Sequence, residues 1–129
     1  MKPFLIALLL VGCASQQIVA PSVSKRAQYA TLPLFDKNNH PENAPKVVSR
    51  VPPLFPFDLV QRLPPSTAVE LEVVVGDDGI VRDAWSVGGD PRLQHDAIVA
   101  VRQWRFTPAT QDGRPIASRC RMTVSLKHA

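Results

Sequence analysis

Few residues of this chain have side chains that could do chemistry, and none is spaced for catalysis. His95 beside Asp96 has the types for acid–base work, but neighbours in a helix do not face each other. No nucleophile completes them: the sequence has no Gly-x-Ser-x-Gly, no phosphate-cradling glycine loop and no histidine cluster. Asp77-Asp78 lies between Gly76 and Gly79 and could suggest calcium. The alternating oxygen ligands and closing glutamate of a calcium loop are missing, however, and Asp-Gly reads as a hairpin turn. His40 has no second ligand at metal-site spacing. The expectation is a protein that is not an enzyme and needs neither cofactor nor metal.

The chemistry that the sequence does suggest is at Cys13. Met1-Lys2 is a short positive start, and Phe4 to Val11 is an unbroken apolar run. A spanning helix needs about 20 apolar residues, so this run reads as a secretory signal. It ends in Leu10-Val11-Gly12-Cys13, which resembles a bacterial lipobox. That resemblance implies cleavage after residue 12 and lipid on Cys13. Ala14 follows; an aspartate there would resemble an inner-membrane retention signal. The expected place is therefore the cell envelope, anchored on the periplasmic face of the outer membrane. With Cys13 taken by lipid, Cys120 has no partner. A free thiol in an oxidising compartment is a hazard unless buried, so Cys120 is expected to point into a core.

The net charge of +4 is modest, and polyanion binders are more basic, with clustered cations; nucleic acid is not expected as a partner. Of the 13 prolines, nine fall between Pro21 and Pro65, so the first half is not one packed domain. Residues 13–46 are rich in Ser, Gln, Asn, Pro and Ala and read as a disordered tether, with a mean reach of about 30 Å. A folded domain is expected over residues 47–129.

Within that domain Phe57 to Leu63 suits a short N-terminal helix, stopped by Pro64-Pro65. Val69, Leu71, Val73 and Val75 alternate with Glu70 and Glu72, the pattern of a half-buried strand. A return strand follows over Ile80 to Val87, with Val81 and Trp85 as its buried residues unless a bulge near Asp83-Ala84 swaps faces. Gly88-Gly89 opens a loop, Asp90 is a good N-cap and Pro91 suits the first helical position. Leu93, Ala97, Ile98, Val101 and Trp104 then recur at helical spacing. The run Val101 to Ala109 reads as the end of that helix, stopped by Pro108. After a turn at Asp112-Gly113, Ser118 to Leu126 alternates most clearly: Cys120, Met122, Val124 and Leu126 on one side, Arg119, Arg121, Thr123 and Ser125 on the other.

The predicted fold class is α+β: a three-stranded antiparallel sheet, strand-strand-helix-strand in spatial order 2-1-3, packed on one helix. The last strand lies at an edge. Such an edge recruits a partner strand or aggregates, and pairing with its own copy would make a homodimer. Arg119 and Arg121 oppose that pairing in register.

Val-x-Leu-x-Val-x-Val-x-Asp-x-Gly at 69–79, Asp90-Pro91-x-Leu93, Ala97, Val101-Arg102-x-Trp104-Arg105-Phe106-x-Pro108-Ala109 and Gly113-x-Pro115-Ile116 occur in this order. Together they resemble the TonB C-terminal domain family, and Phe55-Pro56 resembles its upstream Tyr-Pro. The resemblance covers roughly residues 50 to 127. It implies a periplasmic α+β domain that takes a segment of an outer-membrane transporter, or another envelope protein, as a strand beside its last strand. Carried over, the partner-binding residues are Ser118, Arg119, Arg121, Thr123 and Ser125, with Phe55 and Pro56. Energy transducers of the family carry an inner-membrane helix. A lipobox stands in its place here, so a binding module is expected, joined to the membrane through its lipid.

Overall fold

The computed structural model describes residues 26–39 and 41–126. The chain divides into two compact units, Met1–Thr31 and Leu32–Ala129. Of the first, the amides of Tyr29 and Ala30 donate to the carbonyls of Arg26 and Ala27 in a single turn. The signal segment and Cys13 lie outside the described residues. Among the described residues no helix is long and apolar enough to cross a membrane.

From Leu32 the chain runs β1 (Leu34–Phe35), β2 (Lys46–Ser49), α1 (Phe57–Arg62), β3 (Ala68–Val75) and β4 (Val81–Gly89). A 3-10 turn (Pro91–Leu93), α2 (Gln94–Val101), β5 (Arg105–Thr107), β6 (Ala109–Gln111), β7 (Arg114–Ile116) and β8 (Ser118–Ser125) follow. The main sheet has the order β1-β8-β3-β4, and β2-β5 and β6-β7 form separate two-stranded ribbons. The fold is mixed α+β.

Alternation in β3 has the expected consequence. Val69, Leu71, Val73 and Val75 are fully buried, in one cluster with Leu93, Ala97, Val101 and Trp104 from the helix and its exit. Asp90 caps the first turn: its carboxylate accepts from the Arg92 amide at 2.9 Å and from Arg92 Nε and Nη2 at 2.9 and 2.6 Å. Those bonds lower its pKa from 3.8 to about 2. Pro91 has no amide to satisfy and occupies the first position. Asp112 and Gly113 both take positive φ, 53° and 78°, the geometry of a primed hairpin turn, and join β6 to β7.

Four expectations need correction. The expected three strands do lie in the order β4-β3-β8, but the sheet has a fourth: β1 pairs parallel to β8, Leu34 opposite Arg119 and Phe35 opposite Cys120. The segment read as tether is therefore structured in part. Phe35 and Ala44 pack with Ala109 and Ile116, and Asn43 exchanges two hydrogen bonds with Thr110, at 3.0 and 2.8 Å. The bulge allowed for near Asp83-Ala84, by contrast, is present: the register of β3 on β4 shifts between Val74 and Val75, so Ala84 lies opposite Val73 and Trp85 opposite Glu72. Trp85 is buried, but on the face away from α2. Finally, the helix stops at Val101, three residues before Trp104. Its closing bonds tighten, Gln103 and Trp104 amides reaching the carbonyls of Ala100 and Val101 at 3.0 Å. Arg105–Thr107 then pairs antiparallel with β2. The partner strand lies some sixty residues away in sequence, so local pattern gave no sign of it. Gly88-Gly89, read as a loop, ends β4.

Candidate functional site

The geometry of β8 follows from one hydrogen bond. The Leu126 amide donates to Thr67 O at 3.0 Å, and β8 pairs with β3 antiparallel from Ala68↔Ser125 to Val75↔Ser118 without a register shift. Ladder bonds alternate along an antiparallel pair. The backbone groups of residues 118, 120, 122 and 124 thus turn to β3, and those of 119, 121, 123 and 125 turn outward.

β1 covers the start of this outward edge. The Arg119 amide donates to Pro33 O at 2.7 Å. The Arg119 side chain reaches back over the same segment, Nε and Nη2 donating to Leu32 O at 3.2 and 3.0 Å. Its other arm meets Glu72, Nη1 to Oε2 at 3.3 Å, and Arg121 Nε meets Oε1 of the same carboxylate at 3.0 Å. The Glu72 side chain is 5% exposed. Two guanidiniums on one buried carboxylate satisfy a charge that would otherwise be costly to bury, and they hold Arg119 in place.

The register Phe35↔Cys120, with residue 120 turned to β3, brings the Arg121 amide to Phe35 O; beyond it the edge from the Arg121 carbonyl to Thr123 faces a groove. A depression of about 430 Å³ is lined by Lys37, Val47, Arg50, Trp104, Met122 and Thr123 among others. A second of about 150 Å³ shares Arg50, Trp104 and Thr123 and continues past Pro52, Pro53 and Ser125. Trp104 holds the far wall. Its indole Nε1 donates to Val51 O at 2.9 Å, and the Arg50 guanidinium lies 5.0 Å from the ring centroid, a cation–π distance.

The candidate residues separate accordingly. Arg121 and Thr123 are exposed on the edge, and Ser125 is half-buried at its end. Arg119 is on the same edge but is engaged by residues 32 and 33. Ser118 does not belong with them. It is fully buried, opposite Val75, and its Oγ finds no hydrogen-bond partner among the described residues. Its even place in the strand turns it to the α2 side, where no guest could reach it. Phe55 packs on the main core while Pro56 is exposed. His95 is on the surface, and among the described residues no cluster could hold a metal ion.

Sequence reasoning missed Arg50, Glu72 and the Leu32–Phe35 segment as parts of this edge. One signal was available: Leu32, Leu34 and Phe35 are apolar in a polar stretch.

Cys120 is 7% exposed and unpaired, as expected. Burial, then the nearby charge of Asp36, raises its pKa. The thiolate is the reactive form, so at pH 8 the native chain holds less of it than the unfolded chain. Alkylation by iodoacetamide, followed by mass spectrometry, is expected to be at least ~10-fold slower in the native state than in denaturant.

Residues 61–126 match the family model described as the Gram-negative bacterial TonB protein C-terminal. A solution NMR structure of the Pseudomonas aeruginosa TonB C-terminal domain is similar at 22% identity and a TM-score of 0.48, covering 70% of this chain and 89% of that one. No curated protein matches. The family match takes in β3, β4, α2 and β8, over half of the chain. The chain belongs to the TonB C-terminal domain family.

Proposed function

We propose that this domain is a peptide-docking module of the cell envelope. It takes an extended segment of an outer-membrane transporter, or of another envelope protein, as an added strand along the part of β8 that β1 leaves open. Lipid on Cys13 would hold it at the periplasmic face of the outer membrane, with residues before the folded unit as the leash. The observation that carries this reading is the edge itself: the outward backbone from the Arg121 carbonyl through Thr123, beside a groove walled by Trp104 and Arg50. Main-chain bonds along such an edge supply affinity, and flanking pockets supply choice of sequence. Self-pairing into a homodimer is the less favoured use. With β1 at the start of the edge, two copies would have only its short remainder to share.

Thr123→Pro tests the reading with little damage to the fold. The Thr123 amide faces away from β3, and proline is tolerated on an edge strand where its nitrogen faces outward. Stability should change by no more than about 1 kcal/mol, read by urea unfolding. Binding of transporter-derived peptides, followed by amide shifts at Arg121 and Thr123 in the wild type, should weaken in the variant by ~10-fold or more, since one ladder bond is lost and the ring obstructs its neighbours. Peptides that move only α2 amides, or none, refute docking at this edge. Mass analysis of membrane fractions, with Cys13→Ser as the control, tests the anchor.

A further inference from the structure

We propose that Leu32–Phe35 is a resident strand, seated on the docking edge and displaced by an incoming one, and that Arg119 is the residue that reads whichever strand is there. The inference rests on the docking reading above and names the chemistry of the guest.

β1 is a strand of two residues, too short to persist alone, since even two-stranded hairpins are marginal in water. What holds it is a seat built on β8. Arg119 donates three hydrogen bonds to the segment, one from its amide to Pro33 O and two from its guanidinium to Leu32 O. Every one of these goes to a main-chain oxygen, so the seat recognises an extended backbone rather than a particular side chain. The guanidinium is aimed by Glu72, a carboxylate 5% exposed, so the seat is in place before any strand arrives. Downstream, Phe35 is 6% exposed and fills a small cluster with Ala44 and Ala109. Pro33 has no amide to donate, which marks the upstream limit of the pairing.

The same edge continues without interruption to Arg121 and Thr123. The resident strand already takes the Arg121 amide through Phe35 O, so only a guest confined to the edge from the Arg121 carbonyl onward leaves it in place. A longer guest that reaches Arg119 must remove it. Such a guest runs parallel to β8, offers two successive carbonyls to Arg119 and carries a large apolar side chain where Phe35 now sits. The resident strand is covalently attached and close by. Its occupancy therefore lowers the guest's apparent affinity by the fraction of time the seat is empty.

The test uses the full chain and a capped synthetic peptide of residues 31–36, Thr-Leu-Pro-Leu-Phe-Asp, with fluorescence polarisation as the readout. Phe35→Ser should loosen the resident strand, and the peptide should bind that chain ~10-fold or more tighter than the wild type. Phe35→Leu, which keeps the position apolar, should show a smaller gain in the same direction. Adding Arg119→Met to Phe35→Ser should abolish the gain. Amide protection in β3 and β4 equal to wild type shows that each variant is folded. Equal affinity for wild type and Phe35→Ser, or no binding to Phe35→Ser, overturns the proposal. The transporter-derived peptides are run on the same two chains. If one long enough to reach Arg119 binds both equally, docking stands and displacement falls. If none shifts Arg121 or Thr123 while the residue 31–36 peptide shows its gain, displacement stands and the transporter reading falls.

Discussion

Gly79→Ala is expected to lower the melting temperature by ~12–24 °C, the largest effect of a single methyl in this domain. Gly79 sits in the β3–β4 turn with φ of 80°. An L-residue there costs about 1–2 kcal/mol for its backbone alone. A Cβ at this position would also overlap the carbonyl oxygen of Phe106, which is backbone and cannot rotate aside. The main chains must separate, and that breaks the bond from the Phe106 amide to Gly79 O, 3.0 Å long, and strains the bridge between Ile80 and Arg105. A lost buried hydrogen bond adds about 1–3 kcal/mol. The total of roughly 3 kcal/mol or more is a large part of the 5–15 kcal/mol that domains have, and in a domain of this size each kcal/mol moves the midpoint by about 4–8 °C. Calorimetry of wild type and variant measures it. A shift under about 5 °C would mean that the two segments are not held this closely together.

Trp104→Ala should destabilise the domain by about 3–5 kcal/mol, the usual range for a buried tryptophan. It should also impair docking by a separate route. The ring is 7% exposed and in the main cluster, its centroid 6.3 Å from that of Phe106. Its N–H and its face hold Val51 and Arg50, and so the far wall of the groove. Trp104→Phe separates the roles. It keeps most of the apolar area but leaves the Val51 carbonyl without its donor, a loss of about 1 kcal/mol. Urea unfolding should rank wild type above Trp104→Phe and Trp104→Ala last. Peptide affinity should already fall in the phenylalanine variant, since segment 50–53 is no longer fastened. An unchanged affinity there would show that this wall takes no part in docking.

Both positions were marked in the sequence, though only for part of what they do. Gly79 was legible as a hairpin glycine. Its nearness to Phe106 was not, because nothing in the residues around it announces a strand 27 positions downstream. Trp104 was legible as buried, but as the last residue of a helix. The helix ends earlier because Arg105–Thr107 finds hydrogen bonds in Lys46–Ser49. Trp85 was legible as buried, and a bulge near Asp83-Ala84 as the device that could turn it to the other face; that the register does shift there was decided by pairing.

What the sequence by itself determined is the part with a period. The two eight-residue strands, the helix started by Asp90-Pro91, and the Asp-Gly turns repeat a local rule often enough to be read without neighbours. Only the tertiary structure decided what lies along the last strand. A strand as short as Leu34–Phe35 has no alternation to show, and its conformation is imposed by the edge it meets and by Arg119 reaching over it. The strand that lies along this edge is held by contacts between residues more than eighty positions apart, which no local pattern announces.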